Sequence, residues 1–196
     1  PEVNFQYCSK DGDFEQFGEL PVTTQGRRTD LELLHDTIKN GSSINTIVDQ
    51  HFGAFCRYPK AIDRARELYR TARNWPMDVH VYWGSTGTGK TRSAFDQYPD
   101  AYFKDHSAWW DGYEDHETVI WDEFYGGTIK VAEFLRLTDR YPHRVPVKGG
   151  YRQFVAKRII FTSNDPPTEW YNHLAQQKPE VYAAFERRLT EIKRFD

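Results

Sequence analysis

One octapeptide constrains this chain more than any other stretch: Gly84-Ser85-Thr86-Gly87-Thr88-Gly89-Lys90-Thr91. It fits the pattern of a glycine, four free positions, then Gly-Lys-Ser/Thr. Glycines there let the backbone curl until successive N–H groups point at phosphate oxygens. Lys90 brings a point charge to the terminal phosphates, and the Thr91 hydroxyl stands where it can ligate Mg²⁺. The flanks agree. Val79–Trp83 reads as a buried strand, and Thr91–Phe95 reads as the first turn of a helix whose N-terminal dipole favours phosphate. A Gly/Ser/Thr-rich surface turn is the alternative, and it explains neither the strand nor the Lys-Thr pair.

Composition narrows what surrounds this loop. The chain has 196 residues, 38% hydrophobic and 28% charged, which suits one nucleotide-binding domain plus a smaller element. A net charge of −3 excludes a uniformly basic nucleic-acid coat, so any such contact must be a local patch. Cys8 and Cys56 lie far apart without metal-ligand spacing. No segment is long and apolar enough to span a membrane, and no signal-peptide pattern opens the sequence, as expected of a cytosolic or nuclear protein.

The N-terminal part carries no phosphate chemistry. Residues 1–13 read as the end of another domain, with a short helix over Asn4–Lys10 that sets Tyr7 and Lys10 on one face. A tyrosine so placed can attack a phosphodiester, although a plain surface pair has the same spacing. Residues 14–28 read as a linker. Residues 29–75 read as a small all-α domain. Its first helix starts with Thr29 as N-cap and stops at Gly41; a second, capped by Ser43, runs towards His51. The third spans about Pro59 to Arg73, with Ile62, Ala65, Leu68, Tyr69 and Ala72 on an apolar face. Arg64, Arg66, Arg70 and Arg73 then form the other face, read as a solvated face in preference to a DNA contact. From residue 76 to 196, short apolar runs alternate with helical stretches, which predicts an α/β domain with a mostly parallel sheet.

Three further motifs follow the phosphate loop. Thr118–Trp121 reads as a buried strand ending in Asp122-Glu123, a layout in which Asp122 holds Mg²⁺ and Glu123 polarises the attacking water. Arg158–Ser163 reads as another buried strand, tipped by Asn164, whose amide can position water without adding charge; the alternative is an Asn that caps the following turn. Residues 141–158 hold no acidic residue, and Lys148-Gly149-Gly150 reads as a hairpin tip that could follow a nucleic-acid strand or stand as a solvated loop. Finally, Arg187 and Arg188 read as part of a helix, either as surface charge or as the arginine that one ring subunit lends to its neighbour's site.

In this order these motifs resemble a superfamily 3 helicase. Together with Trp109–Tyr113, Asp122–Gly126, Leu135–Pro142, Thr162–Asn164 and Glu169–Tyr171, the chain is similar to the replication-associated proteins of circular single-stranded DNA viruses, circovirus-like in detail. The resemblance implies an AAA+-like phosphate-loop ATPase that binds ATP and Mg²⁺, with an N-terminal helical oligomerisation domain. It implies that residues 84–91 hold the nucleotide, that Thr91 and Asp122 hold the metal, and that Lys90, Asp122, Glu123 and Asn164 serve catalysis. It further implies a homo-oligomeric, hexameric ring. Arg188, or its neighbour Arg187, would act there as an arginine finger, and single-stranded DNA would meet Lys148, Gly149, Arg144 and Arg152. Tyr7 would be the origin-nicking tyrosine of the longer protein, in its Tyr7–Gly12 motif, and the place of work the host nucleus.

Other classes fit less well. A small-molecule kinase would need an Arg-rich lid and an acceptor pocket, and Asp122-Glu123 with Asn164 argues against it. A GTPase would need an Asn-Lys-x-Asp base-reading motif, and a non-enzymatic tether would not need the full set of Lys90, Asp122, Glu123 and Asn164.

Overall fold

The computed structural model describes residues 6, 7, 9, 10, 12, 13, 15, 17, 18 and 28–196. Most of the expected 14–28 linker, and the Asn4–Phe5 start of the expected first helix, lie outside them. Gln6 and Tyr7 are helical, and Tyr7 is exposed. The chain divides into two compact units at Ile62/Asp63, earlier than the expected boundary near residue 75.

The first unit is helical. Helix α1 (Thr29–Lys39) begins one residue before expectation: Thr29 is its first helical residue, and Arg28 takes the cap position. Arg28 donates to both Asp30 carboxylate oxygens (2.8 and 2.7 Å), which places an acid in the first turn, where the helix dipole favours it. Leu34 and Ile38 are buried one turn apart. Ser43 caps α2 (Ile44–Arg57), its hydroxyl accepting the Thr46 N–H at 3.1 Å. This helix kinks at His51 rather than ending there, and Thr37 Oγ1 meets His51 Nε2 at 2.9 Å.

Helix α3 (Pro59–Tyr69) runs across the division between the units. Its second half inverts the expected amphipathic reading. Leu68 is 69% exposed and Tyr69 is exposed, whereas Arg66 and Arg73 are buried. The cause is partner chemistry. Arg66 donates to Glu114 (2.9 Å) and Arg70 to Asp115 (2.5 Å), with Arg70 also paired to Glu67. Arg73, beyond the helix end, donates to the carbonyls of Arg136, Leu137 and Tyr141 (3.1, 2.7 and 3.0 Å). It thereby supplies a donor to carbonyls at and just past the end of a neighbouring helix, Val131–Leu137, where the last carbonyls lack a partner within the helix.

The second unit is built on a five-stranded parallel sheet: β1 (Asp78–Gly84), β2 (Tyr102–Lys104), β3 (Thr118–Trp121), β6 (Arg158–Ser163) and β7 (Glu191–Phe195), in the order β2-β3-β6-β1-β7. A separate antiparallel hairpin pairs β4 (Arg144–Val147) with β5 (Gly150–Gln153). The helices are α4 (Lys90–Gln97), α5 (Val131–Leu137), α6 (Asn172–Gln177) and α7 (Pro179–Glu186). Val79, Val81, Val119, Trp121, Ile159 and Phe161 sink into one core with Trp110, Phe124, Phe134, Trp170 and Phe185. Its many rings meet edge to face, as Trp110–Trp121 and Phe134–Phe185 do. Part of the aromatic richness of the sequence is thus core, and part, including Tyr58, Trp109, Tyr125, Tyr141 and Tyr151, is exposed.

Two features differ from the sequence expectation. Strand β7 is unforeseen because, as an edge strand, it leaves Glu191, Ile192, Lys193 and Arg194 exposed and shows no apolar run. Arg187 and Arg188 lie at and past the end of α7, not inside a helix.

Candidate functional site

Parallel strands deliver their C-terminal ends to one edge of the sheet, and here that edge gathers the expected motifs. Strand β6 lies between β1 and β3. Trp83 pairs in register with Ser163, and Trp121 with Phe161. Asn164 therefore leaves the sheet beside the phosphate loop, and Asp122 leaves it beside Thr162. A cleft of about 300 Å³ follows, lined by Thr86, Gly87, Gly89, Lys90, Thr91, Asp122, Glu123, Thr162 and Asn164, with Arg92 at its side.

The loop has the backbone that phosphate capture requires. Gly87 and Gly89 have φ of 86° and 88°, where a side chain would be strained, and Gly89 leads directly into α4. Gly84 is needed for a different reason: a Cβ there would overlap the carbonyl of Phe195 at the end of β7. Lys90 is buried, and its ammonium donates to Gly84 O (2.7 Å), Ser85 O (2.8 Å) and Asn164 Oδ1 (3.2 Å). Thr86 Oγ1 also reaches Asn164 Oδ1, at 3.4 Å. The Asn164 amide is thus tied to the loop; it is not spent on capping the Asp165-Pro166 turn.

Across the cleft, Thr91 Oγ1 donates to Asp122 Oδ1 at 2.6 Å, and Thr162 Oγ1 donates to the same oxygen. A hydroxyl and a carboxylate this close are hard oxygen ligands of the kind that share Mg²⁺ with phosphates, so the residues fit the expected cation. Glu123 follows with a left-handed backbone, φ 49°, held by its N–H to Thr162 Oγ1 at 3.1 Å. A non-glycine residue costs on the order of 1 kcal/mol or more in that region, and such strain gathers at functional sites. Here it turns the Glu123 side chain out of the strand line to the exposed cleft. Thr162 was missed as a site residue. The signal available was its place at a strand tip, two residues before Asn164 and level with the acidic pair.

The remaining expected residues fall elsewhere. Lys148 and Gly149 form the two-residue tip of the β4–β5 hairpin, with Gly149 at φ 92°. Lys148 N–H donates to Asp111 Oδ1 (2.7 Å), fastening the tip to the loop before β3. Arg144 is exposed on β4. Arg152 is not a free cation. Its side chain is 11% exposed and donates to Asp63 (2.7 Å) and to Glu114, with Glu67 close by. Three carboxylates neutralise it, which removes it from the expected DNA-binding set. Arg188 donates to Asp139 Oδ2 of its own chain at 2.6 Å, whereas Arg187 is exposed.

A family model described as RNA helicase matches residues 80–165, the span from β1 to just past Asn164. The replication-associated protein of goose circovirus is 38% identical over 173 residues, covering 87% of this chain and 58% of that protein. That of Human associated cyclovirus 1 is 39% identical over 174 residues, covering 82% and 60%. That of Porcine circovirus 2 is 37% identical over 199 residues, covering 97% and 61%. The chain therefore spans 58% to 61% of the length of these curated relatives. Among the described residues, no helix is long and apolar enough to cross a membrane.

Proposed function

The chain belongs with the replication-associated proteins of circoviruses and cycloviruses, and on that premise we propose that it is the ATP-hydrolysing helicase motor of a viral replication initiator. One observation carries the reading: Asn164 is tied to Lys90, and Asp122 to Thr91, across a single cleft into which Glu123 opens. Backbone N–H groups of residues 84–91 would cradle the phosphates, and Lys90 would exchange its loop carbonyls for phosphate oxygens. Thr91 and Asp122 would hold Mg²⁺, which neutralises charge on the phosphates when bound. Glu123 takes the proton of the attacking water, and Asn164 orients that water against the terminal phosphate. A proton acceptor paired with a neutral orienter of water favours hydrolysis over transfer to a small molecule.

The track we propose is single-stranded DNA, met first by Lys148 at the exposed hairpin tip. A hexameric ring would let one subunit's arginine complete the next subunit's site. Arg187 suits that role as the exposed member of the pair, whereas the Arg188 side chain is already paired with Asp139. In the longer protein Tyr7 would nick the origin and become joined to the 5′ phosphate. The reading is tested by Lys90→Ala. Steady-state ATP hydrolysis falls to background because the terminal phosphate loses its buried cation; ordinary turnover by that variant rules the motor out.

A further inference from the structure

The β4–β5 hairpin has two unlike faces. In its register Val145 lies opposite Arg152, and Pro146 opposite Tyr151. Side chains alternate along a strand, so Tyr151 and Arg152 point to opposite faces. The Arg152 face is packed: Val145 is buried, and Asp63, Glu67 and Glu114 enclose the guanidinium. The Tyr151 face is open. Tyr151 is 59% exposed, and the Arg144 guanidinium carbon lies 5.6 Å from its ring centroid. At the tip, the Lys148 side chain is 77% exposed, with Asp111 3.5 Å from its ammonium.

A large ring exposed on the open face of this hairpin calls for an explanation. It contributes nothing to the core, since the packed face is the other one. An aromatic plane against a guanidinium, on a hairpin whose tip carries an exposed ammonium, has the chemistry that holds single-stranded nucleic acid: the ring stacks on a base while the cations meet phosphates along the strand. Such a contact tolerates any sequence, because every base has a π face.

We propose that Tyr151 is a base-stacking residue for single-stranded nucleic acid, with Arg144 bracing the ring and meeting a flanking phosphate. This rests on the motor reading above and adds to the cationic tip a grip that does not depend on charge. With phosphate contacts alone, the hairpin would hold a strand only as strongly as salt allows. A stacked base gives each hairpin a nucleotide-by-nucleotide purchase.

The test is fluorescence anisotropy of labelled oligothymidylate, oligouridylate and an abasic oligonucleotide of equal length, titrated with the full chain. Tyr151→Ala weakens binding to both base-bearing strands by roughly five- to a hundredfold, and Tyr151→Phe, which keeps the ring, binds like the parent. The salt dependence of log Kd is unchanged in Tyr151→Ala, whereas Arg144→Ala and Lys148→Ala each flatten it by about 0.7 per lost phosphate contact. The abasic strand binds the parent and Tyr151→Ala equally. Thermal melting confirms that each variant is folded. If Tyr151→Ala binds like the parent while Lys148→Ala binds weakly, the stacking inference falls and the motor reading stands. If the parent binds neither base-bearing strand, both fall together. Equal binding of the two base-bearing strands supports stacking, and loss of binding by Tyr151→Phe overturns it in favour of a hydroxyl contact.

Discussion

Thr162 shows how much a single hydroxyl can organise. It donates to Asp122 and accepts the Glu123 N–H, so it fixes the carboxylate proposed to hold the cation and the strained turn of the proposed general base together. Thr162→Val keeps the shape and removes both bonds. Partners of this kind cost about 10- to 100-fold in metal affinity or activity when lost. We expect kcat to fall within that range while a fluorescent nucleotide analogue binds as before in the absence of Mg²⁺. Unchanged kcat would mean that Asp122 and Glu123 orient themselves. At this scale the grouping of the candidate site was legible: Lys90, Thr91, Asp122, Glu123 and Asn164 line one cleft, and they could be picked out because phosphate and Mg²⁺ chemistry dictates both residue type and spacing. Thr162 could not, because a threonine on a strand has many ordinary reasons to be there.

At the level of elements, the legible features are those with a local cause. Ser43 caps α2 because its hydroxyl reaches the N–H three residues on, and Lys148-Gly149 turns the hairpin because Gly149 accepts a positive φ. Helix α3 was misread because its charges have distant partners. A helical wheel places arginines outside, but Glu114 and Asp115, some 45 residues further along, draw Arg66 and Arg70 inward. Glu114 also claims Arg152, together with Asp63 and Glu67, and so holds the hairpin's packed face. Breaking a largely buried ion pair leaves a charge without its partner, so Arg152→Ala should cost roughly 2–4 kcal/mol. Urea unfolding monitored by tryptophan fluorescence measures this directly. A loss below about 0.5 kcal/mol, as at ordinary surface positions, would return Arg152 to the set of free cations.

Taken as a whole, the molecule couples its stability to acid. Burial, with Arg73 and Arg136 nearby, holds His143 down to about 4 from its ordinary 6.5. Between those values the unfolded chain binds a proton that the folded chain refuses, so stability is full above pH 6.5 and is lost as pH falls towards 4. The loss amounts to at most about 3 kcal/mol. His143→Gln should flatten this slope when unfolding free energies at pH 4.5 and 7 are compared, and an equal slope in both proteins would assign the acid sensitivity elsewhere. For assembly, mixing Lys90→Ala with Arg187→Ala subunits should restore part of the ATPase activity that each lacks alone, because some interfaces then hold both intact groups. No recovery at any ratio excludes Arg187 as a residue acting in trans, and recovery with Arg188→Ala instead would exchange their roles. Gly84 and Phe195 are register partners at the edge of the sheet, and a Cβ on Gly84 would fall on the Phe195 carbonyl oxygen. The two backbones therefore meet with no side chain between them to act as a spring. On the motor reading proposed above, a displacement of the outermost strand along its neighbour would bear directly on the first residue of the phosphate loop.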